Sequence, residues 1–437
     1  MSQEGDSGRV SRGSDASSAG EADPTPPASR LAPHGSAHAS LWTRPYVLLL
    51  LVILLCYVSQ WLQMAILPLY VHDLGASVLV AGFLLAAFSV TGFGMRPVVG
   101  YWIDSWSQLG VLAVGTAILG VTGTLFAFPA LWLLFIGNTA RGIGWAAINT
   151  AGYTVLARVA PISRRGEASG YYSVATNAAT ALAPVLALWL IAPPVGSYVV
   201  VFVLSGVAAL GATLVVRLLS AEGAARETGA RSKGSGLRLA SFVDVRVLLA
   251  SFLLLCLTVT SPATTAFVPL YARELGIENS GAYFAVSGAV SILATIVLGR
   301  LFNRGSRGVW LVLGFGLSLL GLAILWAATG LELVVLSGAI YALGFSILST
   351  MLLAVAIDLA DPRRPGAAMA TFSASYQLGM GLGAPIAGWL IEVFGYGGMY
   401  LGSMVAVGAG LLLTVANWPA LGKQTLADAS ARPAAVP

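Results

Sequence analysis

Charge is what this chain has least of. Only 9% of its 437 residues are Asp, Glu, Lys or Arg, against about 25% in a soluble globular domain, and that excludes an ordinary water-soluble fold. Histidine is scarce too: His34 and His38 lie in a polar N-terminal stretch, and His72 follows an apolar run. No Asp, Glu or His falls near the middle of any apolar run. Cys56 and Cys256 are the only cysteines, too few for a disulfide framework or a thiolate metal centre. Each sits midway through an apolar run, where cysteine packs as a small apolar residue. Gly-x-Ser-x-Gly, metal-ligand spacings, a phosphate loop and a nucleophile beside a base are all missing. The expectation is a protein that is not an enzyme, needs no cofactor or metal and binds no nucleic acid. Its formal net charge of +5 is spread over short loops.

Apolar residues and glycine are abundant instead, at 57% of the chain and 51 residues. Uninterrupted apolar runs of about 20 residues recur, long enough to cross a hydrocarbon core of about 30 Å as helices. The alternating segments of about 10 residues that a transmembrane β-barrel needs do not dominate. Small residues let membrane helices approach closely, and Gly379, Gly381 and Gly383 form one such run. The pattern predicts an all-α membrane protein with twelve transmembrane helices, over roughly 46–71, 79–102, 109–128, 131–157, 168–191, 196–217, 246–270, 280–301, 308–328, 332–358, 367–391 and 397–417.

The chain repeats itself at an offset of about 200 residues. Leu67-Pro68-Leu69-Tyr70 and His72-Asp73-Leu74-Gly75 return as Val268-Pro269-Leu270-Tyr271 and Arg273-Glu274-Leu275-Gly276. Gly144 matches Gly344, and Arg164-Arg165-Gly166 with Ala183-Pro184 is echoed by Arg363-Arg364-Pro365-Gly366 with Ala384-Pro385. The organisation that follows is a disordered cytoplasmic tail (1–44), a six-helix bundle (45–217), a cytoplasmic linker (218–245), a second six-helix bundle (246–417) and a second cytoplasmic tail (418–437). A duplicated hydrophobic chain is the mark of a machine that moves one half against the other.

Orientation follows from basic residues. With the amino end inside, the inner segments collect Arg158, Arg164, Arg165, Arg217, Arg246, Arg300, Arg304, Arg307, Arg363 and Arg364, whereas the outer loops receive only Arg273. Positive charge stays inside, so both termini are expected in the cytoplasm. A monomer in the cell membrane is expected, with the lipid bilayer, a small-molecule substrate and protons as candidate partners.

Local motifs carry a family resemblance. Arg96-Pro97-Val98-Val99-Gly100-Tyr101-Trp102-Ile103-Asp104 resembles the Gly-x-x-x-Asp signature between the second and third helices of the major facilitator superfamily, with Ser105, Leu109 and Gly110 in its basic positions. Gly299, Asn303 and Arg304 form a second, degenerate copy. The resemblance covers roughly residues 46–417 and implies the major facilitator fold, two pseudo-symmetric six-helix bundles that rock about a midplane site. It implies that this signature gates the cytoplasmic side, with Gly100 at a close helix approach and Asp104 set against the start of the eleventh helix near Arg363 and Arg364. The alternative is that Asp104 only solvates a turn. Arg158 and Asp358, repeat-equivalent and opposite in sign, are a candidate pair across the cytoplasmic seam.

Arg141 is the sharpest single residue, because an arginine near mid-bilayer must face a cavity or a partner. Asn138, Arg141, Trp145 and Asn149 share one helical stripe, and the family's antiporters resemble this in carrying a fourth-helix arginine. Arg141 then touches an anionic group of the substrate, tunes proton coupling, or simply bonds neighbouring carbonyls and amides. Tyr57, Gln60 and Trp61 of the first span, Thr258 and Ser261 of the seventh, and Tyr376 and Gln377 of the eleventh complete the expected cavity wall, which suits an amphipathic organic molecule. Pro184 and Pro385 remove a backbone hydrogen bond at equivalent sites and permit bends. The reading is a secondary transporter for a small amphipathic compound, an exporter that protons would drive. The alternatives are an organic-anion carrier using Arg141 and a membrane sensor or scaffold that kept the fold.

Overall fold

The computed structural model describes residues 40–161, 164–223, 244–301, 306–360 and 365–418. Those residues are mostly helical, joined by short turns and loops, with no strand among them. The first half comprises α1 (Arg44–Asp73), α2 (Val78–Gly94), α3 (Arg96–Ser105), α4 (Gln108–Leu125), α5 (Leu131–Val159), α6 (Arg165–Ile191) and α7 (Tyr198–Gly223). After one 3-10 turn come α8 (Leu248–Thr258), α9 (Ser261–Thr265), α10 (Val268–Glu274), α11 (Gly281–Leu301), α12 (Arg307–Trp326), α13 (Leu331–Leu359) and α14 (Pro365–Ala416). The expected tails and linker fall almost wholly outside the described residues, as do Asn303, Arg304, Arg363 and Arg364.

Local chemistry sets the helix ends. Ser77 and Ser107 accept from the third amide beyond them and so cap α2 and α4. At the other end of α1 and α10, Gly75 and Gly276 adopt φ of +80° and +74°, the left-handed turn that stops a helix and that glycine takes without a Cβ clash. The repeated Leu-Gly dipeptides are therefore helix stops, and they leave Asp73 as the last residue of α1 and Arg273 as the penultimate residue of α10.

Proline accounts for most differences from the expected spans. The span expected over 79–102 is α2 and α3, bent by 43° just before Pro97. The one expected over 246–270 is three short helices, with Pro262 and Pro269 opening α9 and α10, since proline has no N–H and clashes with the preceding turn. Among the described residues, eight helices are long and apolar enough to cross a membrane, or nine with the bent pair as one span. That falls short of twelve for physical reasons. Polar side chains such as Asn138, Arg141 and Asn149 dilute α5, and the apolar stretch of α11 is short. In addition, α14 joins two helices across Gly395, where φ is +71°. Large apolar side chains such as Phe83, Trp132, Leu214 and Leu412 point outward and are more than half exposed, as befits a surface bathed in hydrocarbon.

The halves meet along two seams, α2 against α14 and α6 against α11. Exchanging the repeats turns one seam into the other, the signature of a pseudo-two-fold axis. Their details correspond as well: Ser89 Cβ lies where a Cβ on Gly381 would be 3.1 Å away, and Gly288 packs against Ala181. Near the Asp73 end the two halves share one apolar core, in which Leu62, Leu85 and Leu188 join Phe267, Tyr271 and Phe284. Toward the Trp106 end, the first half has its own core, from Leu41 and Tyr46 to Val216 and Leu219, with no second-half residue among those described.

Candidate functional site

A cavity of about 560 Å³ lies between the halves, within the 300–1,000 Å³ usual for small-molecule sites. Its first-half wall starts from the aromatic and amide side chains of α1 and α5. The Tyr57 hydroxyl donates to Asn149 Oδ1 at 3.0 Å, and Asn149 Nδ2 donates to the Trp145 carbonyl at 2.9 Å. The Tyr57 and Trp145 rings lie 4.7 Å apart. Gln60, Trp61 and Met64 extend this wall along α1, and Thr176, Asn177 and Thr180 extend it along α6. The second half contributes Ser261, Thr264 and Thr265 from α9, Tyr283 to Thr295 from α11, Tyr341 to Ser349 from α13, and Tyr376, Gln377 and Met380 from α14. Among the described residues Arg96 is the one charged residue in the wall, and its guanidinium bonds the Ser373 hydroxyl of the opposite half.

Of the residues expected here, Tyr57, Gln60, Trp61, Trp145, Asn149, Ser261, Tyr376 and Gln377 line the cavity. Asn138, Arg141 and Thr258 do not. Asn138 Nδ2 donates to the Leu84 carbonyl at 2.7 Å and fastens α5 to α2. Thr258 bonds the Leu254 carbonyl of its own helix at 2.9 Å and lies under Gly379. Arg141 is 1% exposed and sits behind Gln60, whose Oε1 accepts from Nη2 at 2.6 Å. Its carbon Cζ stands 5.7 Å from the centre of the Phe126 ring, near enough for a cation–π attraction.

Sequence reasoning missed the walls on α6, α11 and α13. The repeat would have found part of them: shifting Trp145 and Asn149 by 200 gives Phe345 and Ser349, both in the wall. The same shift carries Arg141 and Gln60 to Tyr341 and Thr260, whose hydroxyls bond each other at 2.8 Å.

Two expectations at the Trp106 end need correction. Gly100 lies inside α3, where a Cβ would meet none of the described residues within 4 Å. Asp358 pairs with Arg307 of its own half rather than with Arg158; Arg307 is 5% exposed in that pair, so it ties α12 to α13. Asp104 is exposed, Gly299 lies near the end of α11, and the arginines expected opposite Asp104 are outside the described residues. Pro184 and Pro385 sit inside unbroken stretches of α6 and α14, each beside its seam.

At the other end the halves are tied by polar contacts that the sequence did not suggest. Arg273 Nη1 donates to Asp73 Oδ1 at 2.6 Å, and the Tyr198 hydroxyl donates to Asp73 Oδ2 at 2.6 Å. Glu392 Oε1 accepts from the Leu79 amide at 3.1 Å across the α2–α14 seam. Asp73 corresponds in the repeat to Glu274 and Arg273 to His72, so this tie joins residues one register apart, close to the pseudo-axis.

The sequence model of the Major Facilitator Superfamily matches residues 49–384, and again 305–433. An uncharacterized MFS-type transporter of Burkholderia mallei is 26% identical over 377 residues, 82% of this chain and 88% of that protein. One from Methanocaldococcus jannaschii is 25% identical over 343 residues, 77% of this chain and 88% of its own. Among solved structures, a mutant of the nucleoside transporter NupG superimposes with a TM-score of 0.71 at 15% identity, over 85% of this chain and 99% of that one. A POT family transporter with a bound thioalcohol-conjugated peptide does so with a TM-score of 0.71 at 12% identity, over 87% and 97%. At these identities the structures establish a shared fold.

Proposed function

The chain belongs to the Major Facilitator Superfamily and is a multi-pass membrane protein, and we propose that it is a secondary transporter that exports a small amphipathic organic compound by alternating access. One observation carries this reading: among the described residues, a polar and aromatic cavity lies between two repeat-related halves whose cores merge at one end only. Two halves joined at one end can exchange that contact for its mirror at the other, which exposes the same cavity first to one side and then to the opposite one. We take α5, α11 and the second part of α14 as crossings beyond those nine, making twelve in the cytoplasmic membrane with both termini inside. The Asp73 end is then external and the state described is sealed outside. Export rests on the degenerate signature, closer to the drug and metabolite exporters than to the sugar porters. Among the described residues no Asp, Glu or His lines the cavity, so proton coupling would run through carboxylates at the span ends.

The test is labelled counterflow in proteoliposomes, with and without a pH gradient, using aromatic compounds that fit the cavity. Trans-stimulated exchange is the expected result. If no solute exchanges and none shifts the balance between inward and outward states, the protein is a membrane sensor of the same fold.

The external tie gives a second expectation. Both Asp73 and Arg273 are partly exposed, at 36% and 47%, so solvent screening holds their pair to about 1 kcal/mol or less. Asp73→Asn should raise the outward-open population by up to about fivefold, read as faster labelling of a cysteine placed at Ser261. The charge exchange Asp73→Arg with Arg273→Asp should restore the original rate. Unchanged labelling in Asp73→Asn would mean that the tie is ornamental.

A further inference from the structure

Arginine has five N–H donors and no acceptor, so Arg141 can engage only one atom of the Gln60 amide, its Oε1, which it does at 2.6 Å. The contact settles which way round the amide lies. With Oε1 turned toward α5, Nε2 is the group that Gln60 offers to the cavity it lines. The next wall residue, Trp61, holds a buried Nε1–H with no partner, and an indole nitrogen can only donate. Arg141 Nη1, behind them, is also buried and without a partner. Across the cavity the Ser261 and Ser287 hydroxyls are buried and unbonded as well. Among the described residues the wall has no carboxylate, and its one charged residue is Arg96. The buried N–H groups of the first-half wall therefore have no anionic acceptor.

The second repeat provides the contrast. Tyr341 and Thr260 occupy the positions of Arg141 and Gln60 and make the same helix-to-helix tie, hydroxyl to hydroxyl at 2.8 Å. A hydroxyl pair can reverse its direction, because each partner both donates and accepts. The arginine–amide pair cannot. The first half therefore has more than a structural tie at this point: it has a tie that fixes polarity.

We propose that Arg141 is a positioning residue that locks Gln60 as a donor, and that Gln60 and Trp61 form a subsite for the carboxylate of an otherwise aromatic cargo. The proposal rests on the cavity being the transport site and names the head group that site accepts. An incoming carboxylate supplies the acceptors that the buried N–H groups lack, and an unmade buried hydrogen bond is costly. An ammonium group would meet donors and guanidinium groups with no counter-charge, an arrangement that rejects it.

The experiment uses the full-length protein in lipid nanodiscs and calorimetric titration with 1-naphthoate, 1-naphthamide and 1-naphthylmethylammonium, which share a ring system and differ in head group. Naphthoate should bind about tenfold or more tightly than the ammonium compound, with the amide between them. Equal affinities, or a preference for the cation, would leave the cavity reading intact and overturn the carboxylate subsite. Binding of none of the three would overturn both. Arg141→Lys, whose ammonium also only donates, should keep the preference. The double variant Arg141→Tyr with Gln60→Thr installs the second half's tie and should unfold at the wild-type temperature while losing head-group discrimination. Discrimination that survives there would reduce Arg141 to a tie between helices. If that variant does not fold, Gln60→Glu decides instead, because it keeps the partnership with Arg141 and removes Nε2: its naphthoate affinity should fall about tenfold or more, and an unchanged affinity overturns the proposal.

Discussion

Gly82→Val should prevent the external end from closing. A Cβ at Gly82 would lie 2.6 Å from the Ala384 carbonyl oxygen and 2.9 Å from Pro385 Cα. Both are backbone atoms of α14, so no side-chain rotation relieves the clash. Within its own half α2 also packs against α5, a contact that the substitution leaves untouched, so it should spare folding and act on the seam. Overpacking of this kind costs about 1–3 kcal/mol, and here that cost falls on one conformation only. The outward-open population should rise by roughly five- to a hundredfold. Spin labels at Ser77 and Val393, in a background without Cys56 and Cys256, should report a longer distance across the seam. If the distance distribution matches that of the parent protein, the α2–α14 contact is not the surface that opens and closes.

Gly142→Ala should have a comparable effect on stability instead of conformation. Its Cβ would fall 2.0 Å from Thr91 Oγ1 and 2.4 Å from the Phe88 carbonyl oxygen, both on α2 of the same half. Thr91 has little freedom to yield, since its hydroxyl donates to the Ala87 carbonyl at 2.7 Å and lies 2.9 Å from that of Thr139. Small residues at such crossings let membrane helices pack backbone to backbone. We expect a loss of about 3 kcal/mol, seen as a clear fall in unfolding temperature and in the monodisperse yield from detergent. Gly94→Ala is the control, because a Cβ there meets nothing within 4 Å. Equal unfolding temperatures for the two variants would disprove the close crossing of α2 and α5.

The helices themselves were legible because a bilayer imposes a length on apolar runs and most expected ranges end within a few residues of the observed ones. Breaks were harder to see. Pro68 lies within unbroken α1, whereas its repeat mate Pro269 begins a separate helix. The same residue type at the same register thus has two outcomes, decided by Pro262 seven positions earlier and by packing. Half of the cavity was legible from polar residues on α1 and α5. Arg141 shows the limit of that method. Periodicity places it on the stripe of Trp145 and Asn149, yet it cannot reveal that the Gln60 side chain stands between Arg141 and the cavity. Tyr198 was invisible for another reason: it meets Asp73 from 125 positions away, and no local pattern encodes that.

The meeting of Asp73 with Arg273 has a consequence for how the chain came to be built. In the repeat Asp73 corresponds to Glu274 and Arg273 to His72, so the clasp joins two different ancestral positions. Under a true two-fold such a pair occurs twice, and a dimer of identical half-length chains could set acid against base in both copies. The clasp therefore needs no gene fusion to have formed.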